Sequence, residues 1–394
     1  MSSIDHASEI FLELRPLCVE IAREPTSCKI DALREYLQSH QSRNFTSLQE
    51  YIIFPLQSSI RRKNTSMDLK VRAINCICIL LSQTGITRFD IFQEIFENVC
   101  LLLSSEEPGK VKAISEDVKE VLVDCILTLL TSSSLDILED MYGKSFMPSV
   151  GHCISLLLCI AENEKAKQLR VKAIECIRKL VFVCKEDKNE GGNCFHKHEK
   201  QLSMKLASFL PGISISLAKI ITGGINQGQK VIMTAFEAWV CHIEVVMNDR
   251  YLPVECSSNS VDNVVDLISK LMPQKEGKDF STINHKQTPA DRGLEIQKDK
   301  EWFSNTASKL KLLIERVVKI ARHTNWRVRL AVLQFSEVLL KNCCRSLASC
   351  VPCLIEIVIG FLSDEYLQIS ERSKEIMDEL NMLLSANNGK SMLL

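Results

Sequence analysis

The sequence predicts an all-α fold in which antiparallel helix pairs stack into an α-solenoid. Apolar residues recur at helical spacing along most of the 394 residues, and glycine and proline number only 14 and 10. A short motif also recurs, in which a valine between two basic residues precedes small and apolar residues. It occurs as KVRAI at 70–74, KVKAI at 110–114, RVKAI at 170–174 and RVRLAV at 327–332. The second helix of a HEAT-type repeat often starts this way, so we expect HEAT-like pairs.

The motif predicts which side chains lie between paired helices. The valine and the next helical turn should bury against the partner helix, while the basic side chains stay at the solvated end. One pair cannot bury its apolar face alone, so the pairs must stack. The positions predicted to be buried are Val71, Val111, Val171 and Val328.

The fourth copy of the motif carries further candidate residues. Trp326 precedes it and is predicted to be a structural repeat position. Arg327 and Arg329 are candidates for inter-repeat ion pairs or for contacts with a partner, and the sequence leaves both open.

Taken in order, apolar stripes and caps define the helices of the first region. Ser47 and Glu50 have the spacing of a capping box, and Gly85 is expected to stop the first motif helix. The KVKAI copy is expected to start a helix at Lys110 that runs to about Leu130. Helix pairs are expected to repeat at about 40 residues.

Composition separates the helical regions from two polar segments. Residues 185–200 contain glycine and many charged side chains, and residues 255–299 are rich in Ser, Asn, Asp, Lys and Gln. The predicted organisation is HEAT-like repeats at 1–184, a polar loop at 185–200, helical repeats at 201–254, a flexible linker or insertion at 255–299, HEAT-like repeats at 300–386 and a frayed tail at 387–394.

The last apolar helix is expected to need a covering neighbour. Leu354, Ile357, Val358 and Phe361 form one face of it. A solenoid that stopped there would expose this face, which suggests a longer array.

Charge and hydropathy limit the classes of function. The formal net charge is −1, so we expect no general attraction to nucleic acid or anionic membranes. No membrane span and no secretory signal are expected, so the chain is expected to be intracellular. Known catalytic signatures are missing from the sequence, so neither an enzyme nor a cofactor is predicted.

Two groups of cysteine and histidine have spacings that zinc could use. Cys343, Cys344, Cys350 and Cys353 lie within eleven residues, but they end one predicted helix and begin another, so we favour a packing role. A second group lies in the polar 185–200 loop and just before it. We favour a solvated loop over a metal site there. The group comprises Cys184, Cys194, His196 and His198.

Several stretches resemble one family, the Tel-two-interacting protein one family, over its N-terminal part. They are FLELRPLCVEIAREPT at 11–26, LQEYIIFPL at 48–56, ASFLPGISISLAKIITGGINQGQ at 207–229, HTNWRVRLAVL at 323–333 and LSDEYLQI at 362–369. They follow the family's order across nearly the whole chain, whereas residues 185–200, 255–299 and the tail depart from it.

This resemblance implies a scaffold without an active site. Family members form the large HEAT-repeat subunit of the Triple T (TTT) complex, together with Tel-two and Tti-two type proteins. The complex acts as a cochaperone that helps the ninety-kilodalton heat-shock chaperone mature and stabilise phosphatidylinositol-3-kinase-related kinases, including mTOR, ATM and ATR. The chaperone machinery is an indirect partner. The implied location is the cytoplasm, with the nucleus as a second compartment. The alternative is an unrelated HEAT-repeat adaptor, such as a transport or phosphatase scaffold.

Overall fold

The structure is a computed structural model of the chain, and it is helical, as the sequence predicts. It describes residues 3–41, 43–107, 109–182, 200–224, 227–253, 296 and 298–391. Within these ranges the extended backbone pairs are two isolated bridges, Ile86 with Ser133 and Ser104 with Val111. The chain divides into two compact units, Met1–Glu186 and Asp187–Leu394.

The first unit contains nine described helices. They are α1 (Ser3–Arg23), α2 (Ser27–Ser39), α3 (Gln49–Arg61), α4 (Met67–Thr84), α5 (Phe89–Leu103), α6 (Glu116–Ser132), α7 (Leu135–Met141), α8 (Met147–Asn163) and α9 (Lys167–Phe182).

These helices form the two layers of a solenoid. The helices α1, α3, α5 and α8 pack side by side in one layer, and α2, α4, α6 and α9 do so in the other. Each helix of the first layer also packs on the following helix of the second, which makes the pairs α1/α2, α3/α4, α5/α6 and α8/α9. The short α7 contacts α5. Stacking buries both apolar faces of each pair, as in other helical repeats.

The second unit repeats this arrangement. Its described helices are α10 (Lys200–Leu206), α11 (Leu210–Ile221), α12 (Gln229–Met247), α13 (Lys300–Val318), α14 (Trp326–Asn342), α15 (Val351–Phe361) and α16 (Leu367–Ser391). The helices α11, α13 and α15 form one layer, and α12, α14 and α16 form the other. A 3-10 turn, Lys319–Arg322, joins α13 to α14.

The covering neighbour that the apolar face of α15 needs lies within the described chain. Leu354, Ile357, Val358 and Phe361 are each at most 5% exposed. The helix α16 packs on both α15 and α14, so it supplies the missing cover. The tail prediction needs correction, because α16 continues to Ser391. Gly389 lies inside this last stretch, and one glycine lowers helix propensity by about 1 kcal/mol without excluding a helix.

The expected helix start at Lys110 is wrong as well. Residues 110–114 are non-helical, Val111 bridges to Ser104, and α6 begins at Glu116 after the N-cap Ser115. The hydroxyl of Ser115 accepts a hydrogen bond from the Val118 N–H, as Ser66 does from Leu69 at the start of α4. A serine that satisfies the free N–H groups of the first turn fixes a helix start more strongly than a recurring apolar pattern does.

Aligning the helices on their first residues shows which position repeats. The fourth residue of α4, α6, α9 and α14 is basic in every case. These residues are Lys70, Lys119, Arg170 and Arg329. The third residues of the same helices include Leu69, Val118 and Leu169, which are 49 and 51 residues apart. This spacing exceeds the expected 40, since the 104–114 connection and α7 are added between helices.

The helix α4 ends at Gly85, as predicted. Its φ of 70° is a left-handed conformation, and a Cβ atom there would lie 3.1 Å from the carbonyl oxygen of Ser132. Glycine therefore allows the chain to turn and the Ile86 N–H to bond that same carbonyl at 2.9 Å.

One described segment, Gln229–Tyr251, is long and apolar enough to cross a membrane, with a mean hydropathy of 1.3. The sequence analysis did not single it out. Two thirds of it (67%) is buried within the fold, which is typical of a core helix. Its Phe236 and Trp239 rings pack on Phe335 of α14 at 5.5 and 5.1 Å.

Candidate partner-binding site

A buried ion pair joins the last two helix pairs of the second unit. Arg329 lies on α14, and Asp364 lies in the turn before α16. Nε and Nη2 of Arg329 donate to Oδ2 and Oδ1 of Asp364 at 2.8 and 3.0 Å. The two side chains are only 9% and 6% exposed. A bidentate pair with this burial fixes one helix pair against the next.

The remaining hydrogen-bonding groups of this pair are also satisfied. Nη1 of Arg329 donates to the carbonyl oxygens of His323 and Thr324, and Nη2 reaches Glu365 at 3.0 Å. Burial disfavours the charged form of Asp364, but hydrogen bonds from Arg329 and from the Tyr366 N–H hold its pKa below the usual range. The hydrogen bond to Asp364 likewise raises the pKa of Arg329. Both groups are therefore charged at neutral pH.

Aromatic rings lie beside this ion pair. Trp326, the first residue of α14, stacks on Tyr366 with ring centroids 5.4 Å apart and an interplanar angle of 20°. The guanidinium of Arg329 lies 5.4 Å from the Tyr366 ring, and that of Arg327 lies 5.1 Å from the Trp326 ring. Tyr366 is 42% and Leu367 is 68% exposed. We call Trp326, Arg327, Tyr366 and Leu367 the aromatic–arginine surface.

The two arginines of the fourth motif thus have different environments. Arg329 makes an inter-repeat ion pair. Arg327 is exposed, and within residues 298–391 its side chain has no carboxylate partner. The turn that leads into α14 adds Lys319 and Arg322, which are also exposed and have no ion pair in that range. The aromatic–arginine surface therefore includes one positive charge without a carboxylate partner, that of Arg327.

Other basic residues of the repeats connect neighbouring helix pairs. Arg72 of α4 bonds Asp31 of α2 at 2.6 Å, and Lys172 of α9 bonds Asp124 of α6 at 2.7 Å. Lys119 reaches Glu164 at 2.6 Å, with both side chains at most 15% exposed. The basic residues of the motif were expected at the solvated end. That expectation is wrong for Arg170 and Arg329, which are buried.

The four valines of the motif do not share one placement. Val171 and Val328 are at most 1% exposed between helices. Val71 is only half-buried, and Val111 is half-buried in the loop before α6. Val328 is the third residue of its helix, whereas Val71 and Val171 are fifth residues, so the visible motif is shifted by two positions in α14. The proposed repeat position Trp326 is half-buried against Tyr366.

The low-probability zinc candidates lie around the turn between α14 and α15. Cys343, Cys344 and Cys350 are buried, and Cys353 is partly buried and donates from Sγ to the Cys350 carbonyl at 3.0 Å. Burial raises the pKa of Cys344 and Cys350 to about 12 and that of Cys353 to about 11, which favours protonated thiols. No group of three metal-binding side chains converges in the part of the chain that the structure describes. Cys184, Cys194, His196 and His198 lie outside it.

Sequence reasoning missed one half-buried lysine. Lys298 donates from Nζ to Ser203 Oγ and to the Val246 carbonyl at 2.6 Å. The rings of Tyr251, Trp302 and Phe303 lie 5.5–5.8 Å from this ammonium. Burial lowers the pKa of Lys298 to about 7. Lys298 lies in the polar 255–299 segment, which the sequence predicts to be a flexible linker or insertion. Nothing in the local sequence indicates that this lysine packs against the helices of the second unit.

Comparison with known proteins identifies the family. The model of the TTI1 N-terminal TPR domain matches residues 11–365, which is most of the chain. The chain belongs to this family. The match includes both ends of the Arg329–Asp364 pair. It also confirms the resemblance drawn from the sequence, including the stretches at 323–333 and 362–369 that the structure brings together.

Two curated relatives support the assignment. The chain is 28% identical over 382 residues to TELO2-interacting protein 1 homolog of Mus musculus and 28% identical over 379 residues to that of Homo sapiens. Each alignment covers 96% of this chain but only 33% of the relative. The chain thus spans about a third of the length of these relatives.

The solved structures that match include a crystal structure of an engineered protein, with 13% identity and a TM-score of 0.22. That match covers 92% of this chain and 98% of the other. A computationally designed self-assembling cyclic homooligomer is 11% identical, with a TM-score of 0.19, and the match covers 90% and 96% of the two chains. At these TM-scores neither likeness bears on the fold or the function.

Proposed function

We propose that this chain is a non-enzymatic scaffold of a TTT-like cochaperone complex. In this role it binds Tel-two and Tti-two type subunits and supports the maturation and stability of phosphatidylinositol-3-kinase-related kinases of the mTOR, ATM and ATR class. The heat-shock chaperone machinery is an indirect partner of the chain in this role. The observation that carries the proposal is the family match over residues 11–365. The mouse and human relatives are named as interacting with TELO2.

The architecture is suited to such a role. Stacked helix pairs present long surfaces rather than one deep pocket, and repeat proteins use such surfaces to hold partners. The described side chains are organised into ion pairs and packed cores, which supports a docking role. Scaffolding therefore explains the geometry without assigning any residue a chemical step.

Affinity purification of the tagged chain from cells, followed by mass spectrometry, tests the proposal. Recovery of Tel-two and Tti-two type proteins together with the large kinases is the expected result. A matched control uses the same chain with Trp239→Ala, which removes a fully buried ring and should disrupt the second unit. Recovery of neither subunits nor kinases by the wild-type chain would contradict the scaffold role.

The compartment is part of the same proposal. We place the chain in the cytoplasm, with a nuclear fraction, as the family resemblance implies. Imaging of the tagged chain at native expression level tests this placement. A signal confined to a membrane-bound organelle would refute it.

The family match argues against an unrelated HEAT-repeat adaptor. No observation on the described residues favours a transport or phosphatase scaffold over the family role. Purification that returned transport factors or phosphatase subunits instead of the proposed partners would reverse this preference.

A further inference from the structure

We propose that the aromatic–arginine surface binds an acidic segment of a partner protein, in which carboxylate side chains flank an apolar residue. The inference deepens the scaffold function proposed above and rests on it. It concerns Trp326, Arg327, Tyr366 and Leu367, at the adjoining starts of α14 and α16.

Aromatic exposure is the first basis of the proposal. Tyr366 is 42% exposed although it stacks on Trp326, and the neighbouring Leu367 is 68% exposed. Tryptophan, tyrosine and arginine are the residues that most often dominate the binding energy of protein interfaces. The stacked rings already have one fixed arrangement, so an apolar side chain of a partner can pack on them at small entropic cost.

Charge is the second basis, and it selects the partner. The guanidinium of Arg327 is oriented on the Trp326 ring at 5.1 Å and has no carboxylate within residues 298–391. Lys319 and Arg322, in the turn before α14, are likewise exposed and have no carboxylate partner within residues 298–391.

The two acidic residues that directly precede Tyr366 are already engaged. Asp364 and Glu365 both bond Arg329, which leaves the positive charge of Arg327 uncompensated. Electrostatic complementarity therefore favours carboxylates on the partner.

The burial of Arg329 explains why this surface has a fixed shape. Arg329 holds the α15–α16 turn against α14 through Asp364, and its guanidinium lies 5.4 Å from the Tyr366 ring. The surface is thus built on two packed helices and not on a free loop. Arg327 is the group left available for recognition, whereas Arg329 positions the ring.

The proposal is tested with the purified full chain and a fluorescein-labelled peptide of about twelve residues, in which Glu and Asp flank a central Leu-Trp pair. Fluorescence anisotropy measures binding, and a second peptide with Gln and Asn in place of the acids is the matched probe. We expect saturable binding of the acidic peptide and at least ~10-fold weaker binding of the neutral one. Higher salt should weaken binding of the acidic peptide.

Two variants locate the binding. Arg327→Glu and Tyr366→Ala should each weaken binding by ~10-fold or more, the range of residues that dominate an interface. Arg250→Glu, a charge reversal at an exposed arginine elsewhere in the second unit, should leave it unchanged. The urea midpoint followed by tryptophan fluorescence shows that each variant is folded.

Several results would overturn the proposal. They are no saturable binding of the acidic peptide, equal binding by the variants, and equal binding of the neutral peptide. Capture by phosphatidylserine vesicles without peptide binding would assign the surface to a lipid. Self-association abolished by Arg327→Glu would assign it to a second copy of the chain.

The outcome is separable from the test of the scaffold function. Peptide binding by a chain that recovers no subunits or kinases from cells would count against the scaffold function alone. Recovery of those partners by a chain that does not bind the peptide would count against the surface alone.

Discussion

Arg170 of α9 and Arg329 of α14 occupy the same position in two different helix pairs. Each is the fourth residue of its helix, and each donates to a backbone carbonyl of the chain that leads into it. Nε of Arg170 reaches the Ala161 oxygen at 2.6 Å, and Nη1 of Arg329 reaches the His323 oxygen at 2.9 Å. Burial lowers the pKa of Arg170, whereas the hydrogen bond to Asp364 raises that of Arg329. An arginine at this position thus ties its helix to the preceding segment of the chain. In α14 it also ties its helix pair to the next pair through Asp364.

Removing one partner of the Arg329–Asp364 pair should destabilise the second unit strongly. Arg329→Met or Asp364→Asn leaves the other group buried without its counter-charge, so we expect a loss of about 3–5 kcal/mol in unfolding free energy. All three tryptophans of the chain lie in this unit, so urea unfolding followed by tryptophan fluorescence reports on it alone. The exposed neighbour Arg327→Met is the control and should change the value by less than about 0.5 kcal/mol. Equal effects of the two arginine variants would contradict the assigned roles.

The same pair predicts an acid-dependent loss of stability. The pKa of Asp364 is lowered in the folded chain, so its contribution is complete above the ordinary aspartate pKa of about 3.9 and is lost as the pH falls through the folded value. The stability difference between wild type and Asp364→Asn should therefore shrink as the pH is lowered below about 4. Urea midpoints measured from pH 7 to pH 3 check this. A difference that stays constant over the range would show that the Asp364 charge is not responsible.

Lys298 predicts a change of stability at alkaline pH. Burial lowers its pKa to about 7, although the three rings and two oxygen acceptors around the ammonium favour the charged form. Between this value and the unfolded lysine pKa of about 10.4, the unfolded state binds more protons, so unfolding free energy should rise with pH. Tryptophan-detected urea unfolding from pH 7 to pH 10 measures the slope. Lys298→Met should flatten it, and an unchanged slope in that variant would assign it to another group.

The corrected helix starts predict unequal effects at the valines of the motif. Val171→Ala should destabilise the first unit by about 1–3 kcal/mol, because Val171 is 1% exposed between helices. Val111→Ala, in the loop before α6, should cost less than about 0.5 kcal/mol. Hydrogen exchange of the α9 amides measures the first effect, and that of the α6 amides the second. A large effect of Val111→Ala would restore the helix start at Lys110.

The family and the helical class could be predicted from the sequence because both depend on local patterns. Helical spacing of apolar residues needs only the chain itself, and Gly85 marks a turn that few other residues could adopt. The stretches at 323–333 and 362–369 carried the family resemblance before any contact between them was visible. The sequence also marks Arg327 and Arg329 as candidates for inter-repeat ion pairs or partner contacts, and the first alternative is confirmed for Arg329.

Only the tertiary structure decided between those alternatives. Arg327 and Arg329 differ by two residues on one helix, and which of them turns inward depends on where Asp364 is placed by the next helix pair. The same holds for Lys298, whose burial depends on side chains from distant parts of the second unit. The start of α6 was decided by the cap at Ser115, because its hydrogen bond to the first turn outweighs the apolar pattern that begins earlier. The sequence by itself determined that helices form and to which family they belong, and long-range packing determined which charges are buried and which remain available to a partner.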